Sequence, residues 1–271
     1  MRVGFIGLGS QGGPMARRIV EGGYQTTLWA RRPATLEPFA GTGATIAESQ
    51  AELAAASDLV CLCVVGDADI HEIVSGDRGV LAAMKPGGVI AIHSTVHPNT
   101  CRELANQAAA KGISVVDAPV SGGGGAASQG RLLVMVGGDA DVVERCRPVF
   151  ATYADPVVHL GELGSGQTTK LLNNLLFTAH LATAATALSL AGALGVDPDR
   201  LTEVVSRSSG NSFALNALGG SGGLDRLAGV AGTLLQKDVR LVVDLADRAG
   251  ASGGAVLDAA DAALTLMGHP R

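Results

Sequence analysis

The chain has 271 residues, a net charge of −5 and an aromatic content of only 3%. With no basic block either, this argues against a nucleic-acid surface, which clusters Lys and Arg among stacking aromatics. The length allows one large domain or two ordinary ones with a sizeable core.

The first predicted element is an apolar strand over residues 3–6, running into Gly7-Leu8-Gly9-Ser10-Gln11-Gly12. No charged segment followed by a long apolar one opens the chain, so no signal peptide is expected. A helix follows over 14–21, with Pro14 suited to its first turn, then a strand over 25–29. Further apolar strands are expected over 59–65, 89–93, 113–117 and 132–136, with helices over 48–56, 67–74, 99–111 and 141–150. Runs such as 59–65 have the composition of strands covered on both faces. This alternation predicts an α/β fold: a Rossmann-type, doubly wound parallel sheet with right-handed crossovers.

Near Gly161 the pattern changes, and from Gly166 onward only helices are expected. A long helix over 167–194 stops at Gly195; shorter ones follow over 199–207, 232–249 and 254–267, with Asp197 as an N-cap. The expected division is a nucleotide-binding domain over 1–161 and an all-helical domain over 162–271. No uninterrupted apolar stretch reaches the ~20 residues of a membrane span; residues 171–194 come closest, broken by Asn, Thr and Ser. Cys61, Cys63, Cys101 and Cys146 lack zinc-site spacing and read as reduced, buried thiols. No metal is expected, and a cytoplasmic location is.

Three segments carry chemistry. A G-x-G-x-x-G turn between a strand and a helix suits a dinucleotide: Gly7 makes the turn, Gly9 admits the pyrophosphate and Gly12 lets helix and strand pack, the helix N-terminus favouring the anion. The second strand ends in Leu28-Trp29-Ala30-Arg31-Arg32-Pro33. The acid that holds an NAD ribose is missing there, while two guanidiniums suit the 2′-phosphate of NADP. A solvated surface pair is the alternative. The second segment, Asp117-Ala118-Pro119-Val120-Ser121-Gly122-Gly123-Gly124-Gly125, follows a strand; it suits a small carboxylate held by a hydroxyl and backbone N–H groups, or a structural turn. In the third, Gly164-Ser165-Gly166-Gln167-Thr168-Thr169-Lys170-Leu171-Leu172-Asn173-Asn174, Lys170 and Asn174 share one helix face among leucines. A lysine there is either a buried functional group or one that snorkels to the surface.

Together the N-terminal Gly-Phe-Ile-Gly-Leu-Gly, the Asp-Ala-Pro-Val-Ser-Gly-Gly segment, the Gly-x-x-x-Lys-x-x-x-Asn helix and the later Leu235-Gln236-Lys237-Asp238 resemble the β-hydroxyacid dehydrogenases. That group includes 3-hydroxyisobutyrate dehydrogenase and tartronate semialdehyde reductase, and the likeness spans nearly the whole chain. It implies that Lys170 is the catalytic acid/base, that Asn174 helps hold the substrate, and that Ser121, Gly122 and Gly123 bind its carboxylate, with Asp238 beside it. It also implies that Thr95, Lys237, Val64 and Val65 approach the cofactor, Val64 and Val65 standing where Leu-Pro is usual. Arg31 matches the arginine of NADP-using members. The resemblance further implies a homodimer or homotetramer formed through the helical domains, with a small carboxylate-bearing molecule as substrate; on composition and the lack of a membrane-length apolar run, neither nucleic acid nor membrane is expected as partner.

The chain departs from that pattern at Gln11 (usually Met), His93 (usually Asp), Ala126 (commonly Gly) and Val230 (often aromatic), and it stops short of the usual tail. Val230 and the glycine-rich run over 219–223 are expected to admit a bulkier substrate. The expected activity is NADP-dependent hydride transfer, with NAD as the other cofactor option. The alternatives are an imine reductase-like enzyme, a group that generally lacks the lysine, and a non-catalytic NADP-binding sensor or scaffold.

Overall fold

The computed structural model describes residues 1–221 and 223–271, and the chain divides into two compact units, Met1–Lys170 and Leu171–Arg271. In chain order the first unit holds β1 (Val3–Ile6), α1 (Gly12–Glu21), β2 (Thr26–Trp29), β3 (Thr45–Ile46), α2 (Gln50–Ala55), β4 (Leu59–Leu62), α3 (Asp67–Ser75), α4 (Val80–Ala83), β5 (Val89–Ile92), α5 (Pro98–Ala109), β6 (Ser114–Asp117), β7 (Val120–Ser121), α6 (Gly123–Ser128), β8 (Leu132–Val136), α7 (Ala140–Phe150) and β9 (Ala154–His159). The long α8 (Ser165–Ala193) begins in this unit and continues into the second, where α9 (Pro198–Val205), α10 (Phe213–Ser221), α11 (Leu224–Ala249) and α12 (Gly254–Leu266) follow.

Six strands form one all-parallel sheet in the order β3-β2-β1-β4-β5-β6. The residues of β1, β4 and β5 are buried throughout, as strands covered on both faces must be. One face packs Met15, Ala16 and Ile19 of α1 with Val143, Val149 and Phe150 of α7. The other packs side chains of α2, α3, α4 and α5, among them Leu53, Ile70, Ile73, Leu81 and Leu104. At the reversal of strand order, between β1 and β4, the carboxyl ends of the strands open the crevice where such sheets bind ligands.

The structure corrects the expected sheet in one respect. The strand over 132–136 is present as β8, but in a separate three-stranded sheet, β7-β8-β9, antiparallel to β7 and parallel to β9. Pro119 is the reason: it has no N–H to continue the ladder, so the chain leaves β6 and turns back, the Pro119 carbonyl accepting from Met135 N–H. β9 was not anticipated, because Pro156 and exposed positions disguise it. In the second unit, α11 begins at Leu224 rather than 232 and runs through Gly229 and Gly232. Gly232 is no breaker: a Cβ there would collide with the His269 ring. Asp197 caps α9, accepting from Asp199 and Arg200 N–H, as expected.

Ala260, Ala263 and Leu264 of α12 pack with Leu171, Leu175 and Ala179 of α8 and with Leu235 and Val239 of α11. By length and composition α8, with a mean hydropathy of 1.4 over its most apolar stretch, is long and apolar enough to cross a membrane. The polar breaks noted in the sequence are outweighed in that average. Val230 is exposed on α11, and the run over 219–223 includes Gly222, which lies outside the described residues.

Candidate active site

The glycine turn separates two kinds of glycine. Gly7 has φ 99°, and a Cβ on it would collide with the Cys63 carbonyl; a Cβ on Gly12 would collide with the Gly7 carbonyl. These two are demanded by the protein's own packing. Gly9 is different, since a Cβ there meets nothing within 4 Å. The chain leaves the space over Gly9 clear, beside the N-terminus of α1, where Gln11 supplies no side-chain cap. The residues present therefore fit a dinucleotide pyrophosphate lying over Gly9.

Ala30 is half-buried, and Arg31 and Arg32 are exposed just past β2. Arg31 Nη2 donates to Asp69 Oδ1 at 2.9 Å and to Glu72 Oε2 at 3.3 Å, both on α3. The strand end itself lacks an acid, but α3 brings two. A separation of 38 and 41 residues kept them out of a local reading.

A buried network joins the strand ends. Val64 N–H donates to Ser94 Oγ at 2.7 Å. Gln167, with no exposed surface, donates through Nε2 to the Ser94 carbonyl at 2.8 Å and accepts at Oε1 from Val96 N–H at 3.1 Å. One side-chain amide thus brackets Thr95 on both sides. Asp117, also wholly buried, accepts from Gly164 N–H at Oδ1 and from Gln167 N–H at Oδ2, each at 2.6 Å. Burial raises the Asp117 carboxyl pKa, opposed by the hydrogen bonds from Gly164 and Gln167. Its charge sits at the positive N-terminal end of α8. A Cβ on Gly137 would collide with Asp117 Oδ1, and one on Gly166 would lie 2.8 Å from Oδ2. Gly137, just past β8, and Gly166, in the third segment, clear room for this carboxylate. The sequence motifs contain Asp117 and Gln167 but mark no role for either; the glycines around them are the local signal of a crowded side chain.

Half-buried Ser121 ends β7, and Gly122 and Gly123, both exposed, take φ of 127° and 71°. Gly124 serves packing instead: a Cβ there would collide with the Ser10 carbonyl. Val64 is half-buried and Val65 exposed. On α8, Lys170 is half-buried. Leu171 and Leu175 are buried, whereas Leu172 and Leu176 turn outward.

Within the second unit, Asn174 Nδ2 donates to Asp238 Oδ2 at 2.6 Å, and Lys237 Nζ lies 2.8 Å from Asp238 Oδ1. The carboxylate is 4% exposed, so three predicted site residues meet at one buried anion. His93 is also buried: its Nδ1–H donates to the Ala118 carbonyl at 2.7 Å, and Nε2 accepts from Tyr153 O–H at 3.1 Å. Burial lowers its pKa to about 4. Cys61, Cys63, Cys101 and Cys146 are free thiols, and burial raises the pKa of each. Among the described residues no group of three His, Cys, Asp or Glu is arranged to hold a metal.

Comparison with known proteins accounts for both units. Residues 2–161 match the family described as the NAD-binding domain of 6-phosphogluconate dehydrogenase. Residues 164–266 match that described as NAD-binding of NADP-dependent 3-hydroxyisobutyrate dehydrogenase. The chain is 36% identical to a 3-hydroxyisobutyrate dehydrogenase of Pseudomonas aeruginosa over 79% of its length and 72% of that protein. A structure of Mycobacterium tuberculosis 3-hydroxyisobutyrate dehydrogenase with L-serine superposes with a TM-score of 0.85 at 28% identity, covering 99% of this chain and 95% of that one. An imine reductase from a Pseudomonas species shares the fold alone, with a TM-score of 0.67 at 20% identity over 99% of this chain and 95% of that one.

Proposed function

The chain belongs to the β-hydroxyacid dehydrogenase family, and we propose that it is an NADP-dependent oxidoreductase interconverting a small β-hydroxyacid and its semialdehyde. The observation that carries this reading is Lys170, half-buried on α8 with Asn174 one helical turn further on. When bound, the nicotinamide supplies or accepts the hydride. Everything else falls to the chain. In reduction, Lys170 Nζ gives a proton to the carbonyl oxygen as it becomes an alkoxide; in oxidation it takes that proton back. Its ammonium also stabilises the developing negative charge.

Ser121, Gly122 and Gly123 hold the substrate carboxylate through a hydroxyl and exposed backbone, which fixes the reactive carbon in place. Asn174 gives one amide hydrogen to Asp238 and keeps the other for substrate. Gly7, Leu8, Gly9, Ser10, Gln11 and Gly12 cradle the pyrophosphate, Arg31 and Arg32 read the 2′-phosphate, and Val64, Val65, Thr95 and Lys237 contribute to cofactor binding. Residues 1–161 thus act as the NADP-binding domain and 162–271 as the substrate and homodimerisation domain. The relatives support this substrate class, one named for 3-hydroxyisobutyrate and one captured with L-serine; both molecules are short acids with a β-hydroxyl.

The test is a steady-state panel of NADP⁺ and NAD⁺ with 3-hydroxyisobutyrate and L-serine, and of NADPH with tartronate semialdehyde and a cyclic imine. The expected result is NADP-preferring turnover of a hydroxyacid or semialdehyde and none of the imine. Imine turnover alone would make the chain an imine reductase, and cofactor binding without turnover would make it a sensor.

A further inference from the structure

We infer that Gln167 is a positioning residue, which with Asp117 holds the first turn of α8, and so Lys170, in register with the Thr95 loop. This rests on the reading of Lys170 as the proton donor. Lys170 follows Gln167 by three residues, so both lie within one turn and share its placement. What places that turn is side-chain chemistry from two strand ends.

At the end of β6, Asp117 receives two N–H groups that a helix start otherwise leaves without partners, those of Gly164 and Gln167, each at 2.6 Å. At the end of β5, the Gln167 amide closes on the Ser94 carbonyl at 2.8 Å and on Val96 N–H at 3.1 Å. Ser94 Oγ in turn receives Val64 N–H from the end of β4. Asp117 is itself clamped to the second sheet, exchanging backbone hydrogen bonds with Gly137 at 2.8 and 3.1 Å. Every polar atom of both side chains that faces the protein is engaged, and neither side chain has exposed surface.

A buried network satisfied in this way is rigid, because each broken bond leaves a partner that water cannot reach. Gln167 offers both a donor and an acceptor on one planar group, which lets it grip two successive peptides around Thr95; ionised Glu, Met or Leu of similar size cannot do both. The predicted consequence is catalytic. Reaction rates tolerate little displacement: about 1 Å of misplacement far from the chemistry can cost roughly 10²-fold. Loosening the Gln167 bracket frees α8's first turn from the Thr95 loop while leaving the glycine turn at Gly9 untouched.

The experiment compares wild type, Gln167→Met, Asp117→Asn and Lys170→Ala, using whichever hydroxyacid of the panel wild type turns over best. It reads kcat, KM, the NADPH dissociation constant by fluorescence, and the primary deuterium isotope effect with that hydroxyacid deuterated at its carbinol carbon. For Gln167→Met the expected result is a fall in kcat of at least ~10-fold. NADPH affinity stays within about twofold, and the isotope effect rises as the chemical step becomes limiting. Asp117→Asn, which keeps the side chain's shape but turns one acceptor into a donor, shifts the same quantities in the same direction and stands in if Gln167→Met fails to fold. An unchanged kcat and isotope effect in a folded variant overturns the inference, as does a loss of NADPH affinity equal to the loss in kcat. If Lys170→Ala is inactive while both network variants run normally, this inference fails alone. If Lys170→Ala runs normally, the proton-donor reading fails and takes this one with it.

Discussion

Arg31 donates to Asp69 at 2.9 Å, which ties the end of β2 to the first turn of α3 through a surface ion pair, with Glu72 3.3 Å from the same nitrogen. The Arg31 side chain is 61% exposed, so the pair is worth about 0–1 kcal/mol. A charge-assisted bond to a phosphate is worth about 1.5–3 kcal/mol, so a 2′-phosphate placed there would outcompete Asp69 for the arginine. Arg31→Asp therefore lowers NADPH affinity by about 10- to 100-fold and leaves NADH affinity equal or better. The converse follows from the acids: Asp69→Asn with Glu72→Gln releases Arg31 and tightens NADPH by up to ~5-fold, with NADH unmoved. Paired dissociation constants for the two cofactors decide it. If Arg31→Asp keeps its NADPH preference, Arg31 is a surface residue and nothing more.

Gly9→Val should fold like wild type yet fail to bind cofactor. A Cβ at Gly9 meets nothing of the chain within 4 Å, so what it obstructs is a ligand. Gly12→Val strikes the Gly7 carbonyl instead and should lose stability as well. Melting temperature and nicotinamide fluorescence titration, read together, distinguish the two. Wild-type affinity in Gly9→Val would reduce the glycine loop to a plain turn.

Lys170→Ala should lower kcat by at least ~10²-fold, the low end of general acid–base contributions, with NADPH affinity nearly unchanged. Single-turnover mixing with NADPH and tartronate semialdehyde measures the chemical step directly. Normal turnover by a folded Lys170→Ala protein would rule the lysine out as the acid.

His93 should make the fold acid-sensitive. Its folded pKa is lowered to about 4 from 6.5, chiefly by burial and against the hydrogen bond to the Ala118 carbonyl. The unfolded chain therefore binds a proton between those values that the folded protein refuses. Stability is intact above pH 6.5 and declines as pH falls towards 4, by about 3 kcal/mol over the whole window. Asp117, whose carboxyl is pushed up by burial, acts in the opposite sense at the acid end, so comparison with His93→Gln isolates the histidine. Urea midpoints at pH 7 and pH 4.5 should differ less in that variant, although it is less stable at pH 7. An equal drop in both proteins would acquit His93.

Much of the fold was legible in local pattern. The apolar runs at 3–6, 89–93 and 113–117 lie within a residue of β1, β5 and β6, because a strand buried on both faces is apolar over most of its length. The strand 132–136 was also legible as a strand, but its sheet was not. Sheet membership is a long-range pairing, and Pro119 redirected it. Glycines misled where they serve contact rather than punctuation, as Gly232 does against His269.

The sequence by itself determined which chemistry is present: a glycine turn between strand and helix, paired arginines at a strand end, and a lysine and an asparagine on one helix face. Each is a short-range pattern, set by backbone geometry over a few residues. Only the tertiary structure decided what those groups touch. It set Asp69 and Glu72 against Arg31 across some forty residues of chain, locked Asn174 and Lys237 onto the buried Asp238, and closed Gln167 around Thr95 over Asp117. The physical reason is that a buried polar group must find its partner wherever folding brings one within reach, and distance along the chain carries no trace of that choice.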